Sequence, residues 1–200
     1  LSYCSLTRVI DAIKVGDWLL HHGHTSIEEI RRIALDALWR DGAHEANWVC
    51  DHLDGRSRSL KESETRAVLV FAGLPAPDPN AAVPVSHHAP VIGDLVYRRY
   101  RTVVEYEGAH HQLDRDQYTS DIDRYAAMRD DAVRYVQVTN EKLGRPRSVA
   151  GEVYRQLRNG GYDGPPPDFG ERWRTLFARL STVLGSKRDW LLAQSGSRAS

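Results

Sequence analysis

The sequence predicts an α+β (mixed α/β) fold, and three observations carry that prediction. From Ser59 onward, stretches of helical spacing and short β-branched runs succeed one another in the order α-β-β-β-α-β-α. The residues before Ser59 read as helix almost throughout. The strand-like runs, such as VIGDLVY and TVVEYEG, are brief and carry alternating side chains.

At the N-terminal end, TRVIDAIKVGDWLLHHG places Val9, Ala12, Ile13, Leu19 and Leu20 at helical spacing, and Gly23 marks a C-terminal stop. Ser26 with Glu29 is a capping-box signal for a second helix, IEEIRRIALDALWR. HEANWVCDHL predicts a third, shorter one. Paired helices with a glycine turn read either as a helical DNA-binding module or as a packing domain or linker. The chain opens on Leu1 almost inside a helical pattern, so a missing upstream segment is expected.

DGRSRS is a polar joint, after which Ser59 and Glu62 form another capping box. Leu60, Ala67, Val68 and Phe71 supply the apolar stripe of LKESETRAVLVFAGL, which Gly73 and Pro75 end. PAPDPN reads as a rigid turn. AAVPV, VIGDLVY and TVVEYEG read as strands, DRDQYTSDIDRYAAMRDDA as helix and VRYVQV as strand. VAGEVYRQLRNGG is the next helix, GYDGPPPDFG a loop and ERWRTLFARLSTVL a last amphipathic helix. The predicted division is residues 1–56 as a helical linker or remnant of an N-terminal module, 57–182 as the main domain and 183–200 as a flexible tail.

A chain of 200 residues is long enough for one domain with appendages. Its 27 basic and 27 acidic residues cancel, which neither supports nor excludes a nucleic-acid partner, because a local patch matters more than the total. Cys4 and Cys50 are far apart and lack CxxC spacing, so no disulfide framework or zinc finger follows, and a reducing cytoplasm is the simpler expectation. No apolar run approaches the ~18 residues of a membrane helix.

The chemistry concentrates in VVEYEGAHH, residues 103–111. Side chains alternate along a strand, so Val103, Glu105 and Glu107 share one face and Thr102, Val104 and Tyr106 the other. A hairpin centred near Arg99 and Tyr100 sets Asp94 opposite Glu105. Directly opposed like charges repel, and three acids in an apolar sheet call for a cation, a proton or a base. A divalent metal is one solution, since hard oxygen ligands suit Mg²⁺ or Mn²⁺; the other reading points the acids into solvent.

Asp94, a short gap, E-x-E among hydrophobic residues and then G-x-H-H resemble the PD-(D/E)XK nuclease superfamily. The closer likeness is to the branch of very-short-patch-repair endonucleases and similar uncharacterised bacterial proteins. The likeness runs from about Ser59 to Val138 and takes in the helix with ESETR and the AGLP turn. It implies a restriction-endonuclease-like core, a central mixed sheet flanked by helices, with the N-terminal helical segment appended.

The resemblance implies metal-dependent hydrolysis of DNA phosphodiester bonds, in repair or defence, with Mg²⁺ or Mn²⁺ as cofactor. Asp94 and Glu105 match its paired metal-binding acids, and Glu64 the acid on the preceding helix that supports the metal shell. Glu107 stands where the pattern has lysine, as a further ligand or a general base. His111 matches the histidine ending the turn, with His110 beside it; catalysis and a structural hydrogen bond both remain open. Gln117 and Asp121 fall on the following helix, where polar residues face the substrate. Arg115, Arg124, Arg129, Arg134, Lys142, Arg145 and Arg147 are the candidate phosphate contacts. Gly93 replaces the pattern's proline. The alternative is a non-catalytic DNA-binding regulator or antitoxin-like protein with a degenerate nuclease fold, since the resemblance implies a winged-helix module upstream of such a domain. A structural interaction domain with a decayed site is the third reading, which the absent lysine keeps open.

Overall fold

A computed structural model describes residues 1–83, 85, 91–108, 126 and 128–185. The chain is α+β, made of helices and a four-stranded mixed sheet. It divides into two compact units, Leu1–Gly55 with Gly170–Ser200, and Arg56–Phe169.

In the first unit, α1 (Ser2–Leu6), α2 (Val9–His21), α3 (Ile27–Asp36) and α4 (Ala43–Val49) follow one another, and a 3-10 turn covers Cys50–His52. The Ser26 cap forms as predicted: its hydroxyl accepts the Glu29 N–H at 3.1 Å, and the Glu29 carboxylate takes the Thr25 hydroxyl at 3.0 Å. α3 ends at Asp36, short of the predicted Arg40. The C-terminal stretch, predicted to belong with the main domain, groups here instead. The reason is a short antiparallel bridge between Arg8 and Arg179. Val9 N–H donates to the Ala178 carbonyl at 3.0 Å, and Leu180 N–H to the Thr7 carbonyl at 2.9 Å. That bridge interrupts the last predicted helix, which runs over Glu171–Phe177 and resumes at Leu180. Val9, Ile13, Leu176 and Leu180 are fully buried in this unit.

In the second unit, α5 (Leu60–Phe71) leads into β1 (Asp78–Ala82), β2 (Ile92–Tyr97) and β3 (Thr102–Tyr106). β4 (Arg134–Val138) follows, then α6 (Asn140–Leu143) and α7 (Pro146–Asn159). The sheet order is β1-β2-β3-β4; the first two pairings are antiparallel and β3–β4 is parallel. β1 starts inside the predicted PAPDPN turn. Pro79 fits there because an edge strand tolerates a missing N–H. Asn80 takes φ +46°, and its side-chain amide donates to the Arg56 carbonyl at 2.8 Å and to Glu62 Oε2 at 2.7 Å. The Ser59–Glu62 cap forms on one side as expected, with Ser59 Oγ accepting the Glu62 N–H; the Glu62 carboxylate reaches back to the Arg58 N–H at 2.9 Å. α7 begins three residues before the predicted Val149 because Pro146 occupies its first turn, where a missing N–H costs nothing.

The two faces of the sheet are the predicted ones. Leu95, Tyr97, Val104, Val136 and Val138 pack with Leu69 of α5 and Val149, Val153 and Leu157 of α7. Val96 and Val103 pack on the opposite face with Ala81, Val83, Met128 and Val133. The second face is the one that Glu105 continues.

Candidate functional site

The strand pair that carries the acids has the predicted register. Tyr97, Val96 and Leu95 pair with Thr102, Val103 and Val104, the register the hairpin predicts as far as Leu95. The turn is made by a 3-10 helix over Arg98–Tyr100 and by Arg101 in the left-handed region at φ +46°. The backbone ladder stops at Leu95. Beyond it, Asp94 Oδ2 accepts the Tyr106 N–H at 2.9 Å, so a carboxylate takes the place of a strand carbonyl. Asp94 is thereby held against the end of β3.

Gly93 contributes to this placement. A Cβ there would lie 2.7 Å from Val103 Cγ1, 3.0 Å from Val96 Cγ2 and 3.2 Å from Val83 Cγ2. Those distances are tighter than apolar packing allows, so the backbone of residue 93 lies against the sheet core only because it has no side chain. The proline of the resembling pattern would also bring a Cβ into that space.

On β3, Glu105 is buried at 7% exposure, and Gln137 faces it across the parallel ladder. Glu107 continues that ladder by donating its N–H to the Val138 carbonyl at 2.9 Å. Its Oε2 is buried and has no hydrogen-bond partner among the described residues. A buried carboxylate oxygen without a donor is costly, and Glu105, two residues earlier on the same side of the strand, raises that cost. Carboxylate oxygens are the donor type that suits a hard divalent cation. Among the described residues, no group of three or more His, Cys, Asp and Glu side chains is arranged to hold a metal ion.

Glu64 sits on α5, and its carboxylate pairs with Lys61 Nζ at 3.1 Å, one turn earlier on the same helix. Arg66 is buried on that helix. His111, His110, Gln117, Asp121, Arg115 and Arg124 lie outside the described residues. Arg129, Arg134, Lys142, Arg145 and Arg147 are scattered along the second unit. Lys142 Nζ is engaged with the Gln137 carbonyl at 2.8 Å and with both Glu152 oxygens at 3.1 Å. Arg147 lies over the Phe169 ring, its guanidinium carbon 5.3 Å from the centroid.

Gln137 is the residue that sequence reasoning passed over. Its strand RYVQV shows an ordinary alternation, and only the parallel register with β3 places it beside Glu105. No family model, curated protein or solved structure matches this chain. Among the described residues, no helix is long and apolar enough to cross a membrane.

Proposed function

We propose that this chain is a metal-dependent endonuclease-like protein that hydrolyses DNA phosphodiester bonds in the cytoplasm. The observation that carries the reading is the carboxylate of Asp94 anchored on the Tyr106 N–H at the end of the strand that bears Glu105 and Glu107. Asp94 and Glu105 are the proposed holders of one Mg²⁺ or Mn²⁺, with Glu64 as a supporting acid. Such an ion, when bound, lowers the pKa of coordinated water and offsets charge on a phosphoryl oxygen. Glu107 Oε2 is the proposed proton acceptor, because it is a buried carboxylate oxygen that no N–H or O–H among the described residues satisfies. His111 is the proposed proton shuttle, a role that suits imidazole near neutral pH.

The test is plasmid nicking with Mg²⁺ or Mn²⁺. Wild type is expected to nick, and Asp94→Asn and Glu105→Gln each to slow it at least ~100-fold, the usual scale for loss of a group that supports catalysis. Indistinguishable rates for all three proteins would remove the catalytic assignment.

One observation favours a second reading. Glu107 stands where the resembling nucleases carry lysine, so no ammonium orients a water from that position. A non-catalytic DNA-binding regulator would bind DNA without nicking it, and wild type that binds but never nicks selects this reading.

A further inference from the structure

We infer that the end of the sheet remote from the acids is a second, non-catalytic contact for the sugar-phosphate backbone of duplex DNA, centred on Arg99 and Arg134. The inference rests on DNA as the partner, as proposed above, and assigns the surface that supplies affinity.

The turn between β2 and β3 reads Arg98, Arg99, Tyr100, Arg101, so three guanidiniums flank one aromatic ring within four residues. Arg134 opens the neighbouring strand β4; its N–H donates to the Arg101 carbonyl at 2.7 Å and its Nη1 lies 3.5 Å from the Tyr100 carbonyl. Arg56 reaches the same end: Arg56 Nη1 and Arg98 Nε approach the two oxygens of one carboxylate, Asp78, at 3.7 and 3.3 Å. Five arginines therefore lie at one end of the sheet. Arg101 is bonded to the Asp131 carbonyl and lies 3.9 Å from its carboxylate. Arg99 and Arg134 make no ion pair among the described residues. Arg99 is exposed, and its guanidinium carbon stands 5.6 Å from the Tyr100 ring centroid.

The framework beneath these groups is rigid. Tyr100 packs edge-on against Tyr162 at 5.3 Å, and its carbonyl abuts Gly160, where a Cβ would collide with it. A turn so fixed presents its charges with little ordering cost. Arg matches phosphate oxygens through a planar fork of donors. The acids lie four to six residues along β3, on the order of 15 Å away at ~3.3 Å per residue. A duplex carries one charge per ~1.7 Å of axis, so one bound segment spans both ends. The acidic end repels phosphate until a cation arrives, so the arginine end must supply attraction that does not depend on metal.

The experiment measures binding of a 20-base-pair duplex by fluorescence anisotropy in EDTA, from 50 to 200 mM salt, alongside nicking with Mn²⁺. Arg99→Ala/Arg134→Ala is expected to weaken binding about 10-fold at 150 mM salt and to lower the salt slope by roughly two, about one per lost phosphate contact. Arg99→Lys/Arg134→Lys should keep the slope. Arg99→Glu, at an exposed position, repeats the test without disturbing the fold. Unchanged affinity and slope in the alanine and glutamate variants would overturn the inference, whether or not the protein nicks. Loss of binding in those variants from a wild type that does not nick would uphold it and end the nuclease reading. A wild type that binds no duplex overturns it outright.

Discussion

Glu107 and Gly93 carry the strongest single-residue consequences. A buried carboxylate oxygen with no donor among the described residues costs the folded protein stability. Glu107→Gln is therefore expected to raise stability by about 1 kcal/mol in EDTA, measured by urea denaturation. Saturating Mn²⁺ should raise the melting temperature of wild type through linkage, and raise that of Glu107→Gln less. An equal rise in both would take Glu107 out of the metal site. Gly93→Ala forces a methyl against Val103 and Val96 and should cost about 1–3 kcal/mol. It should also lower nicking, because the strand that positions Asp94 has to move. Retention of both stability and activity would show that this strand end yields freely. From the sequence, the acids were legible as a pattern. The missing Cβ at 93 read only as a departure from the proline of the pattern, because the valines that crowd it come from β1, β2 and β3 together.

At the scale of the element, the junction between α5 and β1 depends on Asn80. Its amide joins the Arg56 carbonyl to the Glu62 carboxylate, while its backbone holds a left-handed conformation. Two replacements separate these contributions. Asn80→Gly keeps the backbone freedom and loses the hydrogen bonds, a cost of about 1–2 kcal/mol. Asn80→Ala adds the penalty of a Cβ in the left-handed region and should cost about 1 kcal/mol more. Equal costs would assign the whole effect to the hydrogen bonds. The caps at Ser26 and Ser59 were legible because they are local: a hydroxyl and an N–H three residues on. The start of β1 was not legible. PAPDPN has turn composition, and only pairing with β2 draws Asp78 to Ala82 into the sheet.

For the whole molecule, the grouping of the C-terminal helix with the N-terminal ones has a direct test. Leu176 is fully buried, on the helix Glu171–Phe177 that contacts α2 of the same unit. Leu176→Ala should destabilise that unit by about 2–5 kcal/mol. Hydrogen exchange should then quicken in α2, with protection in β2, β3 and β4 unchanged. Faster exchange spread evenly over both units would contradict the division. The sequence by itself determined the α+β class, the two caps, the alternating faces of β3 and the hairpin that pairs Leu95, Val96 and Tyr97 with Val104, Val103 and Thr102. Each of these follows from interactions within a few residues or from the strand period of two. Tertiary structure alone decided the parallel pairing that brings Gln137 to Glu105, the carboxylate that replaces a carbonyl at Tyr106, and the return of Ala178–Leu180 to Thr7–Val9. Those pairings join residues distant along the chain, and nothing in the local spacing of either partner specifies the other.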